Sequence, residues 1–304
     1  MSRFIAWLVG IGIVVAGLYW WLWLDNRVPA GADFALDLVE VRRLAETIPG
    51  AKPDDIRYEK VTAFTFPQAM VAAGEPWAGT EIPVYSFQLR YPDRSIVIDT
   101  AMDRSLAKPA FMVPYFDDAA YLRVEQALDR ASQIVITHEH MDHIGGLARH
   151  PRLAEVMTAA RLTETQLAHT DRMFPARLPS ELLSGYQALR YAQYHPLAPG
   201  VVLIAAPGHT PGSQIVYVQR ADGRELLFLG DVAWQSRNIQ LQRERPRFVT
   251  LLLTREDRKA VFGQLRTLQG LAQQEPGLHQ VPGHDGPVIE ALTAQGLMQP
   301  GFVP

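Results

Sequence analysis

Cysteine is missing from this chain altogether, so thiolate is excluded from any metal site and an ion would have to be held by nitrogen and oxygen. The same absence leaves the redox compartment open. A strong charge of either sign is missing too: 29 basic side chains face 32 acidic ones among 304 residues, a net of −3. Acidic and basic residues are interspersed, so no nucleic-acid partner is expected. The short basic run Arg243, Arg245, Arg247 reads as a solvated face rather than a nucleic-acid patch. Nor is any internal repeat visible.

One absence is local. No charged residue occurs from Phe4 to Leu24, a stretch about as long as a bilayer-spanning helix requires. Tyr19, Trp20, Trp21 and Trp23 gather at its end like an interfacial aromatic belt. Ala30-Gly31-Ala32 has the small-residue form of a signal-peptidase site, but the apolar core is longer than a signal peptide's. An uncleaved signal anchor over residues 1–25 is the preferred reading. Arg3 and the α-amino group favour a short tail inside, although Arg27, Arg42 and Arg43 follow the span. The expectation is a single-pass inner-membrane protein with its main domain on the periplasmic, extracytoplasmic side.

Chemistry concentrates in Thr137-His138-Glu139-His140-Met141-Asp142-His143, followed by Ile144-Gly145-Gly146. The segment comes directly after the apolar run Gln133-Ile134-Val135-Ile136. In extended chain alternate side chains point the same way, so His138 and His140 can reach one ion together. As the chain turns helical near Ile144, Asp142 and His143 swing towards a second position. Three further candidates each follow an apolar run: His209 after Val201–Ala205, Asp231 after Leu226–Leu229, and His284 after Leu278–Val281. Such runs read as buried strands, and groups at their ends converge when the strands share a sheet. Gly208, Gly212, Gly230 and Gly283 permit tight turns beside them.

HxHxDH with a following glycine pair resembles the signature of the metallo-β-lactamase superfamily. The likeness extends to Ala206–Ser213, to Leu229-Gly230-Asp231, to Val281–Asp285 and to Ile96–Thr100, where Ala101 replaces the usual glycine. It implies an α/β fold, an αββα sandwich over residues 56–304, joined by a connector at 26–55 to the N-terminal transmembrane helix. It further implies two divalent ions, with zinc preferred and iron or manganese open. His138, His140 and His209 would hold one, Asp142, His143 and His284 the other, and Asp231 would bridge them. Two such ions would acidify a shared water for attack on an ester-type bond. Asp142 would be catalytic, orienting that water or passing a proton to the leaving group. Asp99 and Asp285 would accept hydrogen bonds from ligating imidazoles.

Within the family, a β-lactamase second site of Asp-Cys-His is excluded by the missing cysteine. The other dinuclear β-lactamases lack the bridging aspartate, and di-iron oxygen reductases carry glutamate where His140 stands. What remains are relatives resembling acyl-homoserine lactonases, glyoxalase II and some phosphodiesterases. Asp99-Thr100 with Met102, Pro207–Gly212, and His284-Asp285 lean towards a lactone as the small-molecule substrate. Thioester hydrolysis and phosphodiester hydrolysis are the alternatives. An oxidoreductase like the persulfide dioxygenases and a non-catalytic binding module stand behind them.

Elsewhere, strands are expected near Tyr58–Phe66, Ile82–Leu89, Ser95–Ile98 and Ile134–Thr137. Helices are expected over Asp118–Arg130 and Arg255–Gln274. The connector should be amphipathic, with Leu36, Val39 and Leu44 on one face. A helical insertion from Thr163 to Tyr194 carries Met173, Phe174, Tyr186, Tyr191 and Tyr194, some of which could hold the acyl chain of an amphiphilic substrate. His150, His169, His195 and His279 are expected to lie on the surface or in satisfied core positions.

Overall fold

A computed structural model of the protein describes residues 3–107 and 115–303; the α-amino group weighed above lies outside them. Its strands form two sheets. The first contains β1 (Asp55–Pro67), β2 (Gly79–Arg90), β3 (Ser95–Ile98), β4 (Tyr115–Phe116) and β5 (Gln133–Val135). The second contains β6 (Tyr194–Ala198), β7 (Val201–Ala205), β8 (Gln214–Gln219), β9 (Glu225–Gly230) and β10 (Leu278–Pro282). A last strand, β11 (Gln299–Pro300), returns to the first sheet, whose order is β11-β1-β2-β3-β5 with β4 also on β1. The second sheet runs β10-β9-β8-β7-β6.

Alternation along the strands accounts for the layering. Val201, Leu203, Val216, Val218, Leu226 and Phe228 point into one cluster with Phe87, Ile96, Ile98 and Val135 of the first sheet. Their neighbours Val202, Ile204, Ile215, Tyr217, Leu227 and Leu229 point the other way, against Val261, Leu265 and Leu268 of the helix Arg258–Gln274. On the far side Val97 and Ile134 pack with Val124 and Leu128 of the helix Asp118–Leu128. A period of two therefore gives each sheet one face for its partner sheet and one for helices. The result is a helix–sheet–sheet–helix sandwich, as expected.

Both expected helices form, the later one beginning at Arg258 after Asp257 caps it through the Lys259 and Ala260 N–H groups. The stretch expected as a connector contains the helix Leu38–Ala45, which buries Leu38, Val41 and Ala45 against the second sheet. Val39 faces solvent, contrary to expectation, because the inward stripe runs through Val41 instead. The insertion is also less helical than expected. Only Glu164–Ala168, a 3-10 turn at Thr170–Met173 and Ser180–Leu183 are helical. Its tyrosine hydroxyls serve the fold: Tyr186 accepts from the Leu162 N–H and donates to the Ala160 carbonyl. Tyr191 donates to Gln214, and Tyr194 accepts from the Asp37 N–H.

Residues Arg3–Tyr19 form an α-helix that continues as a π-helical turn, Trp20–Leu24. It projects from the domain with none of its residues buried.

Candidate metal centre

Every sequence-selected polar residue of the centre follows the end of a strand: Asp99 after β3, His138 and His140 after β5, His209 after β7, Asp231 after β9 and His284 after β10. Asp142 and His143 sit in the first turn of the helix Met141–Ala148. That helix packs hard against the turn after β3. A Cβ at Gly146 would lie 2.1 Å from the Thr100 carbonyl oxygen, so the glycine pair sets how close the helix comes. Thr100 in turn donates through its N–H and its hydroxyl to the His143 carbonyl, at 2.7 and 2.9 Å. Asp99 and Ala101 both take positive φ, 56° and 52°, a conformation that explains the family's glycine at the second position.

The seven expected ligands form two groups, whose donor atoms within each group lie within 4.8 Å of one another. His138, His140, His209 and Asp231 make the first, Asp142, His143 and His284 the second. In the first group His138 Nε2 and His209 Nε2 stand 3.2 and 2.9 Å from His140 Nδ1. Ligands at zinc–nitrogen distances and tetrahedral angles would stand about 3.3 Å apart. Asp231 connects the groups. Its Oδ2 lies 3.2 Å from His209 Nε2, and its Oδ1 lies 3.0 Å from His284 Nε2 and 3.2 Å from His143 Nε2. Asp142 Oδ2 is 3.6 Å from His284 Nε2 and 3.7 Å from His143 Nε2.

Four of the five imidazoles are turned the same way. His143 Nδ1 donates to Asp99 Oδ2 at 2.8 Å, His209 Nδ1 to Glu256 Oε1 at 2.9 Å and His284 Nδ1 to the Pro83 carbonyl at 2.7 Å. His138 Nδ1 faces the Thr137 hydroxyl at 3.2 Å, and that hydroxyl itself donates to Asp99. An imidazole whose Nδ1 carries the proton presents its Nε2 lone pair, so these acceptors orient four lone pairs inward. His143 Nε2 and Asp231 Oδ1 are buried without any hydrogen-bond partner. Orphaned acceptors at this depth cost free energy that a cation between them would remove. The donor set of imidazoles and carboxylates, and these two orphans, fit divalent metal.

Electrostatics follow from the same burial. Desolvation pushes the His138 and His140 imidazoles far below their usual range and keeps them neutral. Burial also opposes charge on Asp231, but the imidazoles of His284, His143, His138 and His209 outweigh it and hold the carboxyl far down. At His143, His209 and His284 burial works downward and the facing carboxylates work upward more strongly.

Several residues differ from their expected roles. Asp285 touches no imidazole. Its carboxylate accepts from the Ser236 N–H at 2.6 Å and the Val288 N–H at 3.1 Å, capping the helix Gly286–Ala294. The short β2 carbonyl contact at Pro83 does for His284 what Asp285 was expected to do. Arg245 is no solvated residue: it is fully buried and makes a paired contact with Glu256, at 2.7 and 2.8 Å. Glu256 is therefore held between Arg245 and His209, with the Thr254 hydroxyl donating as well at 2.8 Å. Burial alone would raise Glu256, but Arg245 and His209 pull it down to about 2. Arg245 also lies over the Trp234 ring, whose Nε1 donates to Asp231 Oδ2 at 2.6 Å. Glu256 and Trp234 were missed because neither belongs to a ligand motif. The position of Trp234 three residues after Asp231 was the available signal. His150 is a satisfied core histidine, accepting from the Arg152 N–H, while His169 lies at the surface.

The sequence model of the metallo-beta-lactamase superfamily matches residues 79–285. A probable metallo-hydrolase of Mycobacterium bovis is 29% identical over 204 residues, covering 60% of this chain and 64% of that protein. One from Bacillus subtilis is 25% identical over 152 residues, covering 50% and 62%. The chain thus spans less than two thirds of the length of these curated relatives. Among solved structures, an N-acyl homoserine lactone hydrolase with N-hexanoyl-L-homoserine bound superposes with a TM-score of 0.61 at 18% identity, covering 79% of this chain and 96% of that one. A probable metal-dependent hydrolase from Staphylococcus aureus gives 0.58 at 13% identity, covering 77% and 91%. With the family's sequence model matched across most of the sandwich and its fold reproduced, the chain belongs to the metallo-beta-lactamase superfamily.

Proposed function

We propose that this protein is a membrane-anchored hydrolase that uses two divalent ions to open an ester-type bond, with a lactone as the leading substrate. The observation that carries the reading is the position of Asp231. One carboxylate oxygen faces the His138, His140 and His209 group, and the other faces His143 and His284. The first ion would be held by His138, His140, His209 and Asp231, the second by Asp142, His143, His284 and Asp231. When bound, such a pair supplies Lewis acidity and lowers the pKa of water, zinc suiting these donors with iron or manganese as alternatives.

The chain's own residues do the rest. Asp99, Thr137, Glu256 and the Pro83 carbonyl fix the imidazoles, and the Trp234 indole fixes the bridging carboxylate. Asp142 keeps part of its side chain open to solvent, unlike the buried imidazoles of His143 and His284 beside it. It is therefore the carboxylate able to hold or pass a proton at the leaving oxygen. A lactone is favoured over other esters by the wording of the motifs at Asp99–Met102, Pro207–Gly212 and His284-Asp285. The lactone hydrolase among the structural neighbours agrees in fold.

The anchor reading rests on Arg3–Leu24, 22 residues with none of the apolar window buried. At 1.5 Å per residue it would be about 33 Å long, against a hydrocarbon core of about 30 Å. The short tail would stay inside and the hydrolase domain would stand on the extracytoplasmic side of the inner membrane.

The test is metal content and turnover of the full chain on lactone, thioester, β-lactam and phosphodiester panels, beside Asp231→Asn. We expect lactone turnover, and we expect the variant to lose both activity and bound metal. A preparation that turns over only the thioester in a metal-dependent way would remove the lactone reading. One that binds no transition metal would remove the hydrolase reading altogether. Protease protection of the domain in spheroplasts, whose outer membrane has been removed, would overturn the proposed orientation.

A further inference from the structure

The apolar helix does not hang from the domain on a slack linker. Trp23 is stacked against Phe248, with centroids 4.7 Å apart, and meets Trp77 at a tilt of 56° with centroids 4.6 Å apart. The Trp77 indole donates to the Tyr19 hydroxyl at 3.1 Å, and the Gly74 N–H donates to the Trp23 carbonyl at 3.0 Å. The next residue after the helix, Asp25, is buried, and its carboxylate grips Arg27 at 2.8 Å and Arg247 at 2.7 Å. Arg247 and Arg27 also lie over the rings of Trp21 and Trp20. A domain clasped within one residue of the helix end has no chain with which to stand away from a membrane that the helix crosses.

The edge so clasped is apolar beyond what the helix covers. The short helix Arg247–Leu252, which begins at the clasp, runs into three consecutive leucines, Leu251, Leu252 and Leu253, that are 44%, 64% and 56% exposed. They lie between buried Thr250 and buried Thr254, so the loop is anchored at both ends while its side chains face outward. Trp77 is 52% exposed beside the helix end. Arg172 donates to the Thr254 carbonyl at 2.7 Å and Arg255 pairs with Asp171 at 3.0 Å, which ties the chain just after the leucines to the 3-10 turn Thr170–Met173. Contiguous exposed apolar side chains of this size mark a binding surface.

We propose that the Leu251–Leu253 loop is a second lipid contact, seated in the boundary between headgroups and acyl chains of the bilayer that holds the helix, an inference that rests on the anchor reading above. The occupant is lipid because the clasp brings this loop to the level at which the helix leaves the bilayer. The aromatic belt and the arginines over it are what that level favours. The loop continues directly into Thr254, whose hydroxyl donates to Glu256, and Glu256 in turn accepts from His209. Contact with the bilayer is therefore made by the same segment that orients a candidate ligand.

The chain contains no cysteine, so single-cysteine probes need no background removal. Full-length Leu252→Cys, Val14→Cys and Asp222→Cys proteins would carry an environment-sensitive fluorophore in phosphatidylcholine–phosphatidylglycerol vesicles with a doxyl-labelled lipid. Asp222 lies in the turn joining β8 to β9, at the end of the sheet away from the metal centre. Circular dichroism and metal content would verify folding. The expected result is strong quenching at Val14, and quenching at Leu252 about twofold or more above that at Asp222. Quenching at Val14 with Leu252 no different from Asp222 would overturn the lipid contact and leave the anchor standing. Absence of quenching at Val14 would overturn the anchor, and the lipid contact with it. If unlabelled Leu252→Cys chains instead cross-link in pairs and the labelled ones lose their quenching on dilution to single chains per vesicle, the patch is an interface between copies and the proposal is overturned.

Discussion

Glu256 has four demands on two oxygens: the His209 N–H, both forks of Arg245 and the Thr254 hydroxyl. A carboxylate can accept all of them, while an amide has one accepting oxygen and would turn a donor towards Arg245 or His209. Glu256→Gln should therefore leave the fold in place but weaken affinity for the ion at the His138, His140 and His209 group by about 10- to 100-fold. Chelator competition read by metal analysis would measure this. Unchanged affinity would show that Glu256 supports the loop and not the imidazole. At the same scale, alternation within Thr137–His140 sends His138 and His140 inward and Glu139 elsewhere. Glu139 is buried, where it accepts from the Gly212 N–H at 2.9 Å and from the Thr210 hydroxyl, tying the two histidine motifs together. Nothing in the spacing of HxH announces this tie, because it depends on the turn between β7 and β8, far along the chain.

At the scale of elements, the helix Leu38–Ala45 shows how a segment that reads as a spacer becomes part of the sandwich. Arg42 on this helix pairs with Glu225 of β9 at 2.6 Å and with Glu275 at 2.9 Å, and Glu225 also accepts from the Tyr217 hydroxyl at 2.5 Å. Burial alone would raise Glu225, but Arg42 and Tyr217 overcome it and hold the carboxyl below its ordinary 4.5. A depressed carboxyl contributes stability that is present above the unfolded value and is lost as pH falls through the folded one. Arg42→Leu should destabilise the protein by about 1–3 kcal/mol at neutral pH. That deficit should shrink as the pH falls below 4.5 and Glu225 protonates in both proteins. Denaturant midpoints across this range would check it, and a deficit independent of pH would contradict the assignment. The strands were legible because β-branched and apolar runs mark them, Ser95–Ile98 and Val201–Ala205 to the residue. The inward face of Leu38–Ala45 was not, since Val39 and Val41 are equally apolar and only contact with the second sheet distinguishes them.

For the whole molecule, the join between helix and domain determines where a soluble fragment can begin. A fragment starting at Asp33 would lose both Trp23 from its seat on Phe248 and the Asp25 carboxylate from Arg247. One starting at Asp25 would keep the ion pair. We expect the shorter fragment to be less stable by about 1–3 kcal/mol, at roughly 2–4 °C of melting temperature per kcal/mol for a domain of this size. Equal melting temperatures would show that the pair with Arg247 adds nothing.

The seven candidate ligands and the apolar run were legible in the sequence alone, because each is written in local spacing: alternation, strand-end placement and an uncharged stretch; the two-sheet sandwich followed only from the resemblance that those motifs carry. Only the tertiary structure decided which acceptor orients each imidazole, since those partners come from distant strands and loops. It gave His209 to Glu256, itself held by Arg245, gave His284 to a backbone carbonyl and sent Asp285 to a helix cap. It also decided that two of the three arginines in the short basic run would find buried carboxylates, Arg245 that of Glu256 and Arg247 that of Asp25, which charge counting cannot foresee.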